Sequence, residues 1–332
     1  MDHVPTDAAR AFGRACIRPL LTCLLLLATS ATAGCGDDSV VAPTDGGDRP
    51  RDAGGFDAAY VPVLGGNTLW IGNSLMQFHA SGPYEAYDIP AVVQQLQTAS
   101  GHGTRQEMRV LAQDGFDLHG WWTTWYGYTR DGVIISAARA IVEDGAASRT
   151  YDPALGFTAL PADQKWNRIV LLASVYQFVE AQDRWYGSVD AAAVIPNLDR
   201  WVEYIRSIDP SIEILHYEGP VDARVISRQP EVDAVYADVL ARWGGRLVPV
   251  GPAVARSVAE RPDLDLRRTL DNDYVHYSPP GVYLAACVLF AVLYGDPTGL
   301  PVPAGLDVNA TDAAFLQRIA HDAVAAAGSA AP

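Results

Sequence analysis

Short apolar runs alternate with helical patterns along most of this chain, and that alternation constrains the fold more than any other feature. Each run is bounded by turn-forming or polar residues, as expected for a buried strand. Strands are predicted at residues 68–72, 109–112, 168–174, 212–217 and 247–250. Helices are predicted at residues 89–98, 133–143, 191–207, 232–243, 280–294 and 313–326.

This order of elements predicts an α/β protein with a parallel sheet, because parallel neighbours are joined by helical crossovers that cover both faces of the sheet. The predicted runs imply five strands. One domain over residues 61–328 is the simplest organisation, since no linker-like stretch interrupts that range. In sheets of this kind ligands bind at the carboxyl ends of the strands.

The first 34 residues have the pattern of an export signal, which is cleaved rather than folded. Three arginines precede an apolar run, and small residues then lead to Ala33, Gly34 and Cys35. These three residues resemble the bacterial lipobox, in which the cysteine is acylated; an ordinary signal peptide with a chance cysteine is the alternative. The uncharged run is shorter than the ~20 residues that a membrane-spanning helix needs. We therefore expect a lipoprotein anchored to the bacterial cell envelope through Cys35, on the periplasmic or cell-surface side.

Residues 35–60 are rich in Asp, Gly and Pro and have no apolar period, which is typical of a flexible tether. The net charge of the chain is −15, and Lys165 is the single lysine. The sequence therefore offers no basic stripe to neutralise a phosphate backbone, which argues against a nucleic-acid partner. After cleavage Cys287 is the one cysteine besides Cys35, so no intrachain disulfide is expected.

Gly72, Asn73 and Ser74 end the first predicted strand and are followed at once by the long side chains of the next segment. We expect this switch to expose the Ser74 hydroxyl at the end of the strand, where a helix would begin and backbone N–H groups would face a developing negative charge. A serine in that position can also be an ordinary helix N-cap. The tripeptide alone does not separate a nucleophile from a cap.

Asp273 and His276 lie three positions apart near the other end of the predicted domain. A serine nucleophile needs a base, and the base needs an acceptor that holds its tautomer. One Asp-x-x-His turn can supply both, although a surface aspartate near a histidine is the usual explanation of such a pair.

Together, "LWIGNSLM" at residues 69–76 and "DYVHYSPPGVYLAACVLFAVLYG" from Asp273 onward resemble the SGNH hydrolases, also called the GDSL esterase/lipase family. Gly-Asn-Ser stands in place of Gly-Asp-Ser, and Asp-x-x-His precedes a Ser-Pro-x-Gly-like segment and an apolar helix. The resemblance implies that Ser74 is the nucleophile, His276 the general base and then acid, and Asp273 the group that orients His276.

The family completes its oxyanion hole with a glycine after the second strand and an asparagine after the third. Gly115 falls at the glycine position, so its backbone N–H would act together with that of Ser74. The asparagine is missing, because "VYQFVEAQD" follows the third strand. Gln177 could supply an amide donor and Ser174 a hydroxyl, or neither takes part.

Residues 119–130 contain five aromatic side chains soon after Gly115. Trp121, Trp122 and Trp125 could offer flat surfaces for sugar rings, or the segment could plug a gap between helices. Histidines and cysteines have no zinc-site spacing, and the glycine pairs lack a phosphate-binding motif, so neither a metal nor a cofactor is expected.

The resulting prediction is an α/β protein with a three-layer flavodoxin-like sandwich and a five-stranded parallel sheet, acting as a serine esterase on a small-molecule or polysaccharide ester. An acetyl group on a polysaccharide and a lysophospholipid or other acyl ester both fit. The missing asparagine prompts an alternative function, a non-catalytic surface lipoprotein that binds glycans through the aromatic segment. The oligomeric state is left undetermined by the sequence.

Overall fold

The computed structural model describes residues 66–78, 87–102, 108–112, 138–143, 146–151, 165–173, 176–181, 184–189, 191–269 and 273–329. All of them belong to the compact unit Ala59–Pro332. Within these residues the strands are β1 Thr68–Gly72, β2 Gln77–Phe78, β3 Tyr87–Asp88, β4 Met108–Ala112, β5 Ala138–Glu143, β6 Ala146–Tyr151, β7 Arg168–Leu172, β8 Tyr176–Ala181, β9 Arg184–Val189, β10 Glu213–Tyr217 and β11 Arg246–Val248. The helices are α1 Ile89–Ala99, α2 Ala191–Ile208, α3 Gln229–Trp243, α4 Val250–Glu260, α5 Pro279–Tyr294 and α6 Ala310–Ser329, with a 3-10 helix at Ala223–Arg228.

The main sheet has the strand order β11-β10-β7-β1-β4-β5-β6. Strand β1 pairs in parallel with β4 on one side and β7 on the other, and β10 and β11 continue the parallel arrangement beyond β7. Strands β5 and β6 extend the opposite edge in antiparallel orientation. The predicted α/β class with a parallel sheet is therefore confirmed.

Among the described residues the sheet has seven strands, because β5 and β6 add two antiparallel strands to the five parallel strands at the predicted runs. The predicted helix at residues 133–143 is wrong over 138–143, where the chain forms β5 and pairs with both β4 and β6. A mostly apolar run fits either period, so the sequence pattern did not distinguish a helix from a strand. Pairing with the open edge of β4 favours the strand, because it gives the backbone groups of that edge their hydrogen-bond partners.

Apolar cores lie on both faces of the sheet. Trp70 of β1 packs into one core with buried residues of α1, α4, α5 and α6. Its neighbours Leu69 and Ile71 point to the opposite face and pack with residues of α2 and α3, as the alternation of side chains along a strand requires. The helices therefore occupy the faces and leave the carboxyl ends of the strands for the loops described below.

Helix α5 is apolar on every side and is buried along most of its length, as expected for a helix that packs against other elements all round. It contacts α1, α4 and α6. Cys287 lies inside it as a buried free thiol, and burial raises the pKa of this thiol. None of the described helices is both long and apolar enough to cross a membrane.

Candidate active site

Ser74 lies in a tight turn that directly follows β1. The Asn73 carbonyl accepts the N–H groups of Met76 and Gln77 at 2.9 and 3.1 Å. The Asn73 side-chain oxygen accepts the N–H of Leu75 at 3.0 Å. Among the described residues, the hydrogen bonds that close this turn do not use the N–H group of Ser74.

The turn corrects the expectation that a helix begins at Ser74. The chain continues into the short strand β2, which pairs with β3, and the next helix within the described residues begins at Ile89 with Asp88 as its N-cap. Asn73 favours this path because its side chain bonds the backbone two residues on and so competes with a helical turn. Ser74 is therefore not the N-cap of a helix that begins in this turn.

Asp273 and His276 form a hydrogen-bonded pair in the loop that precedes α5. Asp273 Oδ2 lies 2.8 Å from His276 Nδ1. Asp273 Oδ1 accepts the backbone N–H groups of Val275 and His276, each at 3.0 Å. The two side chains are 15% and 23% exposed, so the pair is partly shielded but accessible from solvent.

Two opposing effects set the ionisation of Asp273. Burial alone would raise the pKa of its carboxyl group, but the hydrogen bonds from the ring and backbone of His276 and from Val275 outweigh burial and lower that pKa to about 2. Asp273 is therefore a carboxylate at neutral pH and accepts the Nδ1–H of His276. The Nε2 atom of the neutral ring is then left as the basic nitrogen.

Tyr87 links the turn at residues 73–77, here called the serine turn, to the loop at residues 273–278, here called the histidine loop. Its hydroxyl donates to the Ser74 carbonyl at 2.6 Å and accepts the backbone N–H of Tyr277, the residue after His276, at 3.5 Å. Both are buried. Segments that are far apart in the chain thus meet at one hydroxyl group.

Tyr217, the last residue of β10, makes a second link between the same segments. Its hydroxyl donates to the Leu75 carbonyl at 3.4 Å and lies 3.1 Å from the hydroxyl of Tyr277. The described hydrogen bonds of Ser74 involve its carbonyl, and none of them joins its hydroxyl to the His276 ring.

Arg267 and Arg268 contact the two ends of the histidine loop. Arg268 Nε donates to the Tyr277 carbonyl at 2.9 Å, and its own carbonyl accepts the N–H of Asp273 at 3.1 Å. The Arg267 guanidinium lies 4.7 Å from the centre of the Tyr277 ring and donates to the carbonyls of Pro220 and Val221. These contacts hold both ends of the segment that carries Asp273 and His276.

Glu218 is a buried acid at the same edge of the sheet, directly after β10. Its side chain is fully buried, and Gln229 Nε2 donates to Glu218 Oε1 at 3.2 Å and to Asp233 at 3.0 Å. Burial, and then the neighbouring Asp233 carboxyl group, raise the pKa of Glu218 to about 10. Glu218 is therefore protonated at neutral pH.

Several predicted residues lie outside the described residues, namely Cys35, Gly115, Trp121, Trp122, Trp125 and Ser174. Gln177 lies on β8, paired with Ser188 of β9, and its side chain is outside what the structure describes. Within the described part of the chain, no group of three acidic, histidine or cysteine side chains is arranged to hold a metal ion.

Sequence reasoning missed the tyrosines at this site. Tyr277 and Tyr217 stood next to features that the sequence did identify, the Asp-x-x-His turn and a strand end. Tyr87 had no such signal, since it lies in a two-residue strand before α1. Its role depends on a hydroxyl reaching two remote backbone groups, which no local pattern encodes.

Comparison with known proteins concerns the fold. No protein-family model matches the chain, and no curated protein sequence matches it. A DUF4886 family protein from Bacteroides uniformis is similar over 78% of this chain and 94% of its own, with a TM-score of 0.56 and 20% identity. Weaker similarity is found to a putative GDSL-like lipase from Parabacteroides merdae, with a TM-score of 0.42, 13% identity, and 70% and 97% coverage. A lipase/acylhydrolase from Enterococcus faecalis has a TM-score of 0.42 and 13% identity, and the match covers 72% of this chain and 100% of its own. The chain therefore shares the fold of the Bacteroides protein.

Proposed function

We propose that this chain is a serine ester hydrolase of the SGNH type, with Ser74 as nucleophile, His276 as base and Asp273 as orienting acid. One observation carries the proposal: the Tyr87 hydroxyl bonds both the Ser74 carbonyl and the N–H next to His276. A nucleophile and a base from remote segments need such a meeting point. The Asp273–His276 hydrogen bond adds the geometry that a general base requires.

In the proposed mechanism, Ser74 Oγ attacks the acyl carbonyl carbon while its proton passes to His276 Nε2. The backbone N–H groups of Ser74 and Gly115 stabilise the oxyanion, with Gln177 as a third donor. His276 then protonates the leaving alcohol, and the acyl group stays on Ser74. Water then attacks the carbonyl carbon of this acyl-enzyme while His276 Nε2 takes one of its protons. His276 returns that proton to Ser74 Oγ as the bond between Oγ and the acyl carbon breaks, which releases the carboxylic acid and restores the serine. Asp273 keeps Nδ1 protonated throughout.

The proposed substrate is an acyl ester, and an O-acetyl group on a polysaccharide suits an exported protein with the aromatic segment at 119–130. Trp121, Trp122 and Trp125 are the proposed contacts for sugar rings. Release of acetate from acetylated xylan or peptidoglycan, compared with hydrolysis of long-chain esters, separates a carbohydrate esterase from a lipase. A preference for the long-chain ester would contradict the carbohydrate substrate and leave the triad unaffected.

The proposed location is the bacterial envelope, with Cys35 lipidated and residues 35–60 as the tether. Metabolic labelling with a radioactive fatty acid tests this, since Cys35→Ser should lose the label while Cys287→Ser, with its thiol buried in α5, should keep it. Label retained by Cys35→Ser would contradict lipidation at that residue.

Fluorophosphonate labelling tests the triad directly, because the probe reacts with a serine only when its base is in place. We expect the label on Ser74, and loss of about 10³-fold or more in turnover of a short acyl ester in Ser74→Ala and His276→Ala. Matched controls are Ser207→Ala and His321→Ala, both exposed on helices, and these should keep wild-type turnover. Unchanged turnover in either triad variant would refute the proposal.

The second candidate function is a non-catalytic surface protein that binds glycans, and the missing oxyanion asparagine favours it. It predicts no covalent labelling of Ser74 in the wild-type protein. It also predicts glycan binding that is lost when Trp121, Trp122 and Trp125 are replaced by Ala. Labelling of Ser74 would exclude it as the main function.

A further inference from the structure

Tyr87 is held by its backbone to the same turn that carries Ser74. Strand β3 pairs with β2, with Tyr87 opposite Phe78, and the N–H of Ile89 donates to the Met76 carbonyl at 3.1 Å. The ring therefore stands on the nucleophile side of the site. Its hydroxyl extends from there to the loop that carries the base.

The two contacts of the Tyr87 hydroxyl use different parts of the group. A phenol has one proton to donate and lone pairs that accept. The proton goes to the Ser74 carbonyl at 2.6 Å and the oxygen accepts from the Tyr277 N–H at 3.5 Å. One orientation of the hydroxyl allows both hydrogen bonds. The bond to the Ser74 carbonyl is short, and the bond from the Tyr277 N–H is longer.

Ring packing fixes the same geometry. The rings of Tyr87 and Tyr277 meet edge to face, with centroids 5.8 Å apart and planes at 62°. The guanidinium of Arg268, which also bonds the Tyr277 carbonyl, lies 5.9 Å from the centre of the Tyr87 ring. Burial raises the pKa of Tyr87 well above that of a free phenol, so the hydroxyl keeps its proton at any pH at which the protein would work.

A hydroxyl in this position is costly unless it is bonded. Burying an unbonded phenolic hydroxyl is unfavourable, and a phenylalanine would fill the same space without that cost. The hydroxyl is placed where it touches the backbone of the proposed nucleophile and the backbone next to the proposed base. Packing alone requires the ring and does not require the oxygen.

We infer that Tyr87 is a positioning residue, whose hydroxyl sets the separation between the Ser74 turn and the His276 loop. This inference rests on the proposed function. It adds to the site a residue that acts through the backbone and takes no part in the proton transfer between Ser74 and His276. Tyr217 acts in parallel but contacts the residue after Ser74 and the side chain of Tyr277, with distances of 3.4 Å to the Leu75 carbonyl and 3.1 Å to the Tyr277 hydroxyl. A displacement of about 1 Å between reacting groups is enough to cost about 10²-fold in rate.

The test is Tyr87→Phe in the full chain, assayed with a short acyl ester. We expect kcat to fall about 10- to 100-fold with KM changed by less than about twofold, because substrate contacts stay intact while the serine and histidine lose alignment. The rate of Ser74 labelling by fluorophosphonate should fall by a similar factor. Tyr217→Phe should give a smaller fall in kcat of the same kind.

The matched control is Tyr283→Phe. Tyr283 is as deeply buried, and its hydroxyl is hydrogen-bonded to Gln317 between α5 and α6, so the variant removes one buried hydroxyl away from the serine turn. It should lower the midpoint of urea unfolding by about as much as Tyr87→Phe while keeping wild-type kcat. Equal kcat values in the two variants, or unchanged kcat in Tyr87→Phe, would overturn the inference.

The outcomes separate this inference from the proposed function. A wild-type protein that neither hydrolyses esters nor labels at Ser74 refutes the function, and the inference then fails with it. An active wild-type protein with a fully active Tyr87→Phe variant refutes the inference alone. If Tyr87→Phe does not fold, Tyr217→Phe decides, and wild-type kcat in that variant overturns the inference.

Discussion

Glu218 makes the stability of this protein depend on pH in a direction opposite to that of most carboxylates. It is fully buried after β10, with Gln229 Nε2 at 3.2 Å from its Oε1. Burial comes first among the causes that raise its pKa to about 10, and the nearby Asp233 carboxyl adds to the shift. The folded protein therefore holds a proton that the unfolded chain gives up above its ordinary pKa of 4.5.

The sign and size follow from the number of protons bound in each state. Below pH 4.5 the carboxyl is protonated in both states, and its contribution to stability is fully present. From pH 4.5 to about 10 the unfolded chain is ionised while the folded chain is not, so the free energy of unfolding falls by about 1.4 kcal/mol per pH unit. Between pH 7 and pH 9 the free energy of unfolding falls by about 3 kcal/mol.

Among the described residues, the other buried groups with shifted pKa values change the stability mainly outside the interval from pH 7 to pH 9. His216, whose pKa burial lowers to about 4, changes the stability only between that value and its ordinary pKa of 6.5. Cys287 contributes only above its ordinary pKa of 9.0. The slope between pH 7 and pH 9 is therefore expected to come from Glu218.

The assay is urea unfolding of the wild-type protein and of Glu218→Gln at pH 7, 8 and 9. The glutamine has the size and hydrogen-bonding capacity of a protonated glutamate, so the variant should fold and should lose the downward slope. Glu231→Gln is the control, because Glu231 is exposed and paired with Arg228, which lowers its pKa; this variant should keep the wild-type slope. Equal slopes in wild type and Glu218→Gln would refute the reasoning.

Two further substitutions probe the base and the packing beneath it. Asp273→Asn should lower turnover of a short acyl ester at pH 7 by about 10²- to 10⁴-fold. The wild-type Asp273, with a pKa of about 2, is a carboxylate that accepts the hydrogen bond from His276 Nδ1, and the variant has no carboxylate there. Initial rates within about threefold of wild type would contradict this prediction. Gly281→Ala should destabilise the protein by about 2 kcal/mol or more in urea unfolding, because an added Cβ would lie 2.0 Å from the Leu266 carbonyl oxygen. Gly328→Ala, with nothing within 4 Å of the added atom, is its control and should leave stability unchanged or slightly raised, so equal losses in both variants would refute the steric argument.

The central strands were predictable from the sequence because apolar cores cover both faces of the sheet. Each strand is therefore a short run of mostly apolar residues. The predicted run at residues 68–72 coincides with β1, and the runs at 109–112, 168–174, 212–217 and 247–250 overlap β4, β7, β10 and β11. Helix α5 was equally clear, since an apolar segment between a proline pair and a glycine has defined ends. The region at 138–151 was not predictable in the same way, because its pairing depends on whether the edge of β4 is open.

The sequence by itself determined the α/β class, the place of Ser74 after the first strand, and the Asp273–His276 turn, because each depends on residues that are close together in the chain. Only the tertiary structure decided that the serine turn and the histidine loop meet at Tyr87 and that Glu218 stays protonated. Those properties arise from contacts and burial among remote segments, where a hydroxyl or a carboxyl acquires its role from groups that a local pattern does not contain.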